Sequence, residues 1–164
     1  MQAKARSGRM VAVQAHPLAE LLRCPAETGN LLNSASQCLN FDAGGVVFRQ
    51  NGPCRGLYVV VSGLFQRRAE RMEARLALGP ARAGELVELA AALGDARHTY
   101  SLSAQTSGSV LLLQLDALHK AFESYPPLRM QLLEELAREV SRAYFSCCAN
   151  RVVRGRNLDS ASLA

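Results

Sequence analysis

Residues 44–65, GGVVFRQNGPCRGLYVVVSGLF, and residues 78–86, LGPARAGEL, decide how this chain folds. In both stretches apolar residues alternate or run briefly, then stop at a glycine: Gly44, Gly52, Gly56, Gly63, Gly79 and Gly84. That punctuation marks short strands joined by tight turns, because glycine adopts the backbone conformations that turns demand. The expectation is a small β-barrel or β-roll, and a helical core is excluded here.

Working outward, Val46-Val47-Phe48 reads as one strand, Gln50-Asn51-Gly52-Pro53 as a tight hairpin turn, and Leu57 to Val61 as a buried strand closed by Gly63. Leu64 to Leu78 reads as a hairpin whose tip, Arg67 to Glu73, mixes both charge signs as a solvated tip does. Tyr100 to Gln105 alternates like a half-buried strand, and Gly108 to Leu115 is the closing strand before a turn at Asp116. Ala117 to Tyr125 is a short helix stopped by Pro126-Pro127. On the N-terminal side, a short helix runs from His16-Pro17-Leu18 to Leu22 and is interrupted at Pro25. Leu31, Leu32, Ala35 and Cys38 then form an i, i+1, i+4, i+7 stripe on a second helix.

From Leu128 a long helix carries Leu133, Leu136, Val140, Ala143 or Tyr144, and Cys147 at alternating spacings of three and four, the pattern of a helix that pairs with its twin. The expected organisation is a flexible basic arm over 1–13, a roll with N-terminal helices over 14–127, a dimerisation helix over 128–153, and a disordered tail or hinge over 154–164.

Composition narrows the function classes. The 164 residues suffice for one domain with a sizeable core. No apolar run approaches the ~20 residues of a membrane span, and Met1 to Val13 lacks the apolar core of a signal peptide, so a cytoplasmic protein without a membrane partner is expected. Five cysteines, Cys24, Cys38, Cys54, Cys147 and Cys148, fit neither a disulfide framework nor a CxxC zinc pattern; they read as reduced thiols, with no metal site. Adjacent Cys147 and Cys148 on a helix point about 100° apart and close an awkward ring, which disfavours a redox pair. The net charge of +5 leans toward an anionic partner but is spread over both tails and one hairpin. His16, His98 and His119 lie far apart, with no nucleophile elbow and no phosphate loop, so no catalytic residues and no enzyme are expected.

The order Gly44, Phe48, Pro53, Leu57-Tyr58, Ser62-Gly63, Leu78-Gly79-Pro80 and Gly84-Glu85-Leu86 resembles the cyclic-nucleotide-binding domain of the Crp/Fnr transcription regulators, over residues 38–150 and most specifically over 44–86. The resemblance implies a mainly β fold with flanking helices: a double-stranded β-helix, that is, a jelly-roll-like β-roll, plus a long C-terminal dimerisation helix. It implies a small-molecule effector, with cyclic AMP as the family's type of ligand, no other cofactor, and a homodimer through 128–153. Nothing after Gly155 supplies a helix-turn-helix, so DNA is expected to be contacted only through a domain absent from this chain.

The resemblance also assigns roles. Gly84, Glu85 and Leu86 open the segment that the family uses to receive the cyclic phosphate, with Glu85 accepting the ribose hydroxyl and a following arginine pairing the phosphate. Leu86 to Leu93, LVELAAAL, reads as a longer and more apolar helix than the family's, and Arg97 follows Glu85 by twelve residues. Counted back from the strand at Tyr100, His98 falls on the arginine position and Thr99 on the next, hydroxyl position. Three readings stay open: Arg97 reaching the phosphate through a one-residue bulge, His98 as a weaker, pH-dependent donor, or Glu85 capping or pairing locally with Arg97 and His98 as exposed turn residues. The base-contacting hydroxyl of the family falls at Ala143-Tyr144, which makes Tyr144 the remaining candidate. The function implied is the ligand-sensing and dimerisation domain of a transcription regulator. The alternative is an interaction scaffold whose pocket is filled by its own side chains, with the 86–93 helix as the plug.

Overall fold

A computed structural model describes residues 18–69 and 79–159, with side chains described through Phe145 and at Cys148. Two helices, α1 (Leu18–Leu22) and α2 (Ala26–Ser34), precede β1 (Ser36–Phe41), β2 (Val46–Phe48), β3 (Gly56–Ser62), β4 (Leu64–Arg68), β5 (Pro80–Arg82) and β6 (Leu86–Val87). Then come α3 (Leu89–Leu93), β7 (Ser101–Ala104), β8 (Gly108–Gln114), α4 (Leu115–Ser124) and α5 (Pro127–Asp159). The strands form two four-stranded antiparallel sheets, ordered β1-β8-β3-β6 and β2-β7-β4-β5.

This is the expected roll with flanking helices. The uninterrupted apolar run in β3 has a clear cause, because the strand is buried on both faces and its side chains alternate between two cores. Leu57 and Val59 join Leu113, Leu18, Leu32, Leu118 and Leu128 under the helices. Tyr58 and Val60 join Phe48, Phe65, Leu102, Val110 and Leu112 between the sheets. Where β3 turns into β4, Gly63 sits at φ 84° against Gly108; a Cβ on Gly63 would lie 2.7 Å from the Gly108 Cα, so this crossing needs glycine.

Tertiary pairing overrides the local pattern at several places. Residues 36–41, Cys38 among them, are strand β1 and not the continuation of a helix, because Ser36 to Phe41 pair with Leu113 to Gly108. The Asn51-Gly52 turn forms with Asn51 at φ 65°, but it is not a hairpin: β2 pairs with β7, β3 pairs with β8, and the turn carries the chain from one sheet to the other. Residues 86–93 are not one helix. Leu86 and Val87 pair with β3, Glu88 turns left-handed at φ 71°, and only Leu89–Leu93 is helical. No turn separates β8 from the next helix, since α4 starts at Leu115.

The long helix runs from Pro127 through Asp159, so residues 154–159, expected in the tail, are helical. Its apolar residues divide between two faces. Leu128, Leu132, Leu136 and Ala143 turn toward the roll, whereas Met130, Leu133, Val140 and Tyr144 are exposed. No helix among the described residues is long and apolar enough to cross a membrane. The expected basic arm, most of the charged hairpin tip (70–73) and residues 160–164 lie outside the described residues.

Candidate functional site

Between the β5–β6 connection and α5 lies a cavity of about 610 Å³, walled on one side by Gly79, Pro80, Gly84, Glu85 and Leu86 and on the other by Gln131, Leu132, Glu135, Glu139 and Ala143. Arg67 reaches it from β4. In a strand, alternate residues share a face, so Arg67 lies on the same side as buried Phe65 and comes off the inner surface of the roll. Its guanidinium lies 3.6 Å from the Glu85 carboxylate and 3.9 Å from that of Glu139. Its Nε donates to Tyr100 Oη at 3.3 Å and its Nη1 to the Gly79 carbonyl at 3.4 Å. One cation therefore joins the β5–β6 connection to the long helix. The Arg67 side chain is 7% exposed, against 44% for Glu85 and 23% for Glu139. Burial raises the Glu139 pKa above the ordinary glutamate value, and Arg67 partly offsets this. Burial also pushes the Tyr100 hydroxyl well up, so it stays a neutral donor and acceptor.

The backbone of the β5–β6 connection is already engaged. Gly84 N–H donates to the Val60 carbonyl at 2.8 Å and Glu85 N–H to the Arg82 carbonyl at 3.0 Å. Gly84 itself sits at φ 86° with open space where a Cβ would be, at the mouth of the cavity.

A second polar cluster adjoins the first, with Glu88, His98 and Cys54 buried and Thr99 at its edge. Glu88 Oε2 is 2.8 Å from His98 Nδ1 and accepts from Thr99 N–H at 3.2 Å; Glu88 Oε1 accepts from Thr99 Oγ1 at 2.8 Å. The Glu88 side chain is fully buried and His98 nearly so. The imidazole stacks flat on Phe48, with centroids 3.8 Å apart and planes 3° from parallel. The Cys54 thiol joins the cluster, donating to the Gly56 carbonyl at 3.1 Å. Burial pushes this thiol up, and the Glu88 charge adds to that shift. The two clusters touch through Tyr100, whose hydroxyl accepts from both Glu88 N–H and Arg67 Nε.

Of the residues singled out in the sequence, the structure brings Gly84, Glu85 and Leu86 to the cavity. His98 is buried in the second cluster and the exposed Thr99 bonds to it; neither is among the cavity-lining residues. The Arg97 side chain is exposed and does not line the cavity, reaching toward the Asn51 carbonyl at 3.5 Å. Tyr144 is 62% exposed on the outer face of α5. Residues 86–93 do not plug the cavity: Leu86 and Leu89 lie in its wall and α3 packs into the helix-side core. Sequence reading passed over Arg67, Glu88, Glu139 and Tyr100. Arg67 was detectable from strand alternation with Phe65, and Glu88 from its place as the one charge in LVELAAAL, where a carboxylate needs a partner.

Residues 38–125, more than half of the chain, match the family model of the cyclic nucleotide-binding domain. No curated protein sequence matches. Among solved structures the chain is similar to the sensor domain of the transcriptional regulator DNR from Pseudomonas aeruginosa, at 22% identity and a TM-score of 0.63, covering 79% of this chain and 86% of that one. It is similar to the catabolite activator protein of Thermus thermophilus, at 21% identity and a TM-score of 0.64, covering 76% of this chain and 59% of that one. It is also similar to the c-di-GMP-responsive global regulator CLP of Xanthomonas campestris, at 20% identity and a TM-score of 0.63, covering 81% of this chain and 71% of that one. At these identities the likeness is one of fold, and the family rests on the match over residues 38–125: the chain belongs to the cyclic nucleotide-binding domain family.

Proposed function

We propose that this chain is the ligand-sensing and dimerisation domain of a Crp/Fnr-type transcription regulator, and that its effector is a small anion bound in the cavity between the β5–β6 connection and α5. The observation that carries this reading is Arg67, a nearly buried cation on the cavity wall that holds Glu85 of the roll and Glu139 of the long helix at once. A volume of about 610 Å³ suits a nucleotide-sized molecule. A phosphate that takes Arg67 releases both carboxylates, and the free energy of binding then favours a different packing of α5 on the roll. Arg67 here serves where the family relies on an arginine after the helix, since Arg97 and His98 are turned to other partners.

Calorimetric titration with cyclic AMP, cyclic GMP and c-di-GMP tests this directly, with Arg67→Gln as the comparison. Binding that is lost in Arg67→Gln supports the assignment; binding that persists in Arg67→Gln but disappears in Arg97→Ala moves the phosphate to the turn at Arg97. A second reading has its own support, because Arg67 already has carboxylate partners and the cavity is partly occupied by its own ion pairs. On that reading the domain is an interaction scaffold, and folded protein shows neither heat nor a thermal shift with any of the three nucleotides.

Pairing through α5 is supported by the exposed apolar positions Met130, Leu133, Ala137, Val140 and Tyr144, spaced alternately three and four apart along one face. Val140→Glu is expected to give monomers by sedimentation, and an unchanged dimer would place the interface elsewhere.

A further inference from the structure

We infer that Cys54, Glu88 and His98 form a binding site for one divalent transition-metal ion of the zinc type. Their donor atoms, a thiol sulfur, a carboxylate oxygen and an imidazole nitrogen, all lie within 4.8 Å of one another, and each residue is at most 5% exposed. Three separate segments bring them together: the loop before β3, the residue preceding α3, and the turn before β7. That convergence is not left to the side chains. Asn51 N–H donates to the His98 carbonyl, His98 N–H to the Gly52 carbonyl, and Cys54 N–H to the Ala96 carbonyl, at 2.7 to 2.9 Å, so a short backbone ladder holds the Cys54 loop against the His98 turn.

Orientation is equally constrained. Phe48 clamps the imidazole plane, and Thr99 holds the Glu88 carboxylate by both its N–H and its hydroxyl, as outer partners hold metal ligands elsewhere. Glu88 adopts φ 71°, a left-handed conformation uncommon for a residue with a Cβ, which aims its side chain inward at the start of α3.

The chemistry of the donor set suits the burial. A thiolate and a carboxylate around a divalent cation make a neutral assembly with a neutral imidazole, and a neutral assembly is what a dry site accepts at least cost. Thiolate and imidazole favour a zinc-like ion over magnesium or calcium, which take oxygen ligands. Zinc bonds of about 2.0 to 2.3 Å in tetrahedral geometry put donors roughly 3.3 to 3.7 Å apart, so closure needs movements on the order of 1 Å, with the ion replacing the contact between His98 Nδ1 and Glu88 Oε2. The site lies one side chain from the effector cavity, through Glu88 N–H, Tyr100 and Arg67, so an ion here stiffens the wall that Arg67 stands on.

The test uses the full chain, stripped with chelator and titrated with Co²⁺. The expected result is one Co²⁺ per chain with a thiolate-to-metal charge-transfer band that Zn²⁺ abolishes. The band should be lost in Cys54→Ser, which keeps a donor for the Gly56 carbonyl, and retained in Cys38→Ser and Cys148→Ser. No band in the wild type shows that the cluster is a hydrogen-bonded lock and overturns the inference, as does a band that survives Cys54→Ser. Zinc X-ray absorption on the unmutated protein gives an independent reading that does not depend on any variant folding. One sulfur at about 2.3 Å with nitrogen and oxygen neighbours at about 2.0 Å supports the site, and zero or two sulfurs refute it.

Discussion

Glu85 and Glu88 stand three residues apart on the same short segment and live in opposite worlds. Glu85 faces the cavity, is 44% exposed, and sees Arg67 across 3.6 Å without a direct hydrogen bond between them. Glu88 is fully buried and has every carboxylate partner within hydrogen-bond reach. The left-handed turn at Glu88 sends the two carboxylates to different sides of the β6–α3 junction. The difference teaches where change is affordable. A half-solvated ion pair exchanges partners with little loss, because water covers whatever is released. A dry pair has no such cover, so its geometry is kept and its disruption is expensive.

The largest effect is expected from Glu88→Ala, which strands the buried His98 imidazole and takes the acceptor from both Thr99 donors. Urea unfolding should show a loss of about 1–3 kcal/mol, the cost of leaving a buried hydrogen-bonding group without its partner. A loss below about 1 kcal/mol would mean that water reaches the cluster and that the contrast with Glu85 is false. A double-mutant cycle on Arg67 and Glu85 should give a coupling of no more than about 1 kcal/mol, as solvent screening of Glu85 requires. A larger coupling would make both carboxylates structural and weaken the case for an exchangeable cation.

The smallest effect is a pH dependence at Glu139, which sits between the two extremes. Its pKa is raised in the folded chain above the ordinary 4.5, by burial first and despite Arg67. The folded state therefore binds the proton more tightly than the unfolded chain does. This group's contribution is fully present below its unfolded pKa and is lost as pH rises through the folded value. Glu139→Gln, which resembles the protonated acid, should gain stability relative to the wild type at neutral pH, and the gap should close as pH falls below 4.5. A gap that does not change with pH would leave Glu139 as a solvated side chain.

The strands were legible because their causes are local. Gly63 and Gly84 need positive φ, and the run Leu57 to Val61 can be apolar throughout only if both faces are covered. Strand β1 was not legible, since Leu31, Leu32, Ala35 and Cys38 carry a helical stripe that only pairing with β8 overrides. The long helix was legible in its start and its period, and less so in its end and its orientation. Its apolar residues were read as one seam, and contact with the roll then claimed Leu136 and Ala143 and left Leu133, Val140 and Tyr144 outside.

At the site the limit was different in kind. Gly84, Glu85 and Leu86 were placed at a ligand site by the family resemblance, which three consecutive residues can carry. Which cation faces them could not be placed that way. Arg67 is eighteen residues upstream of Glu85 and meets it because β4 pairs with β5, which positions it at the mouth of the roll. The sequence by itself determined the strand-and-turn grammar, the helical period of α5 and the family. Only the tertiary structure decided that His98 turns to Glu88 and that Arg67 turns to the cavity, because burial and charge pairing between distant segments depend on the whole fold.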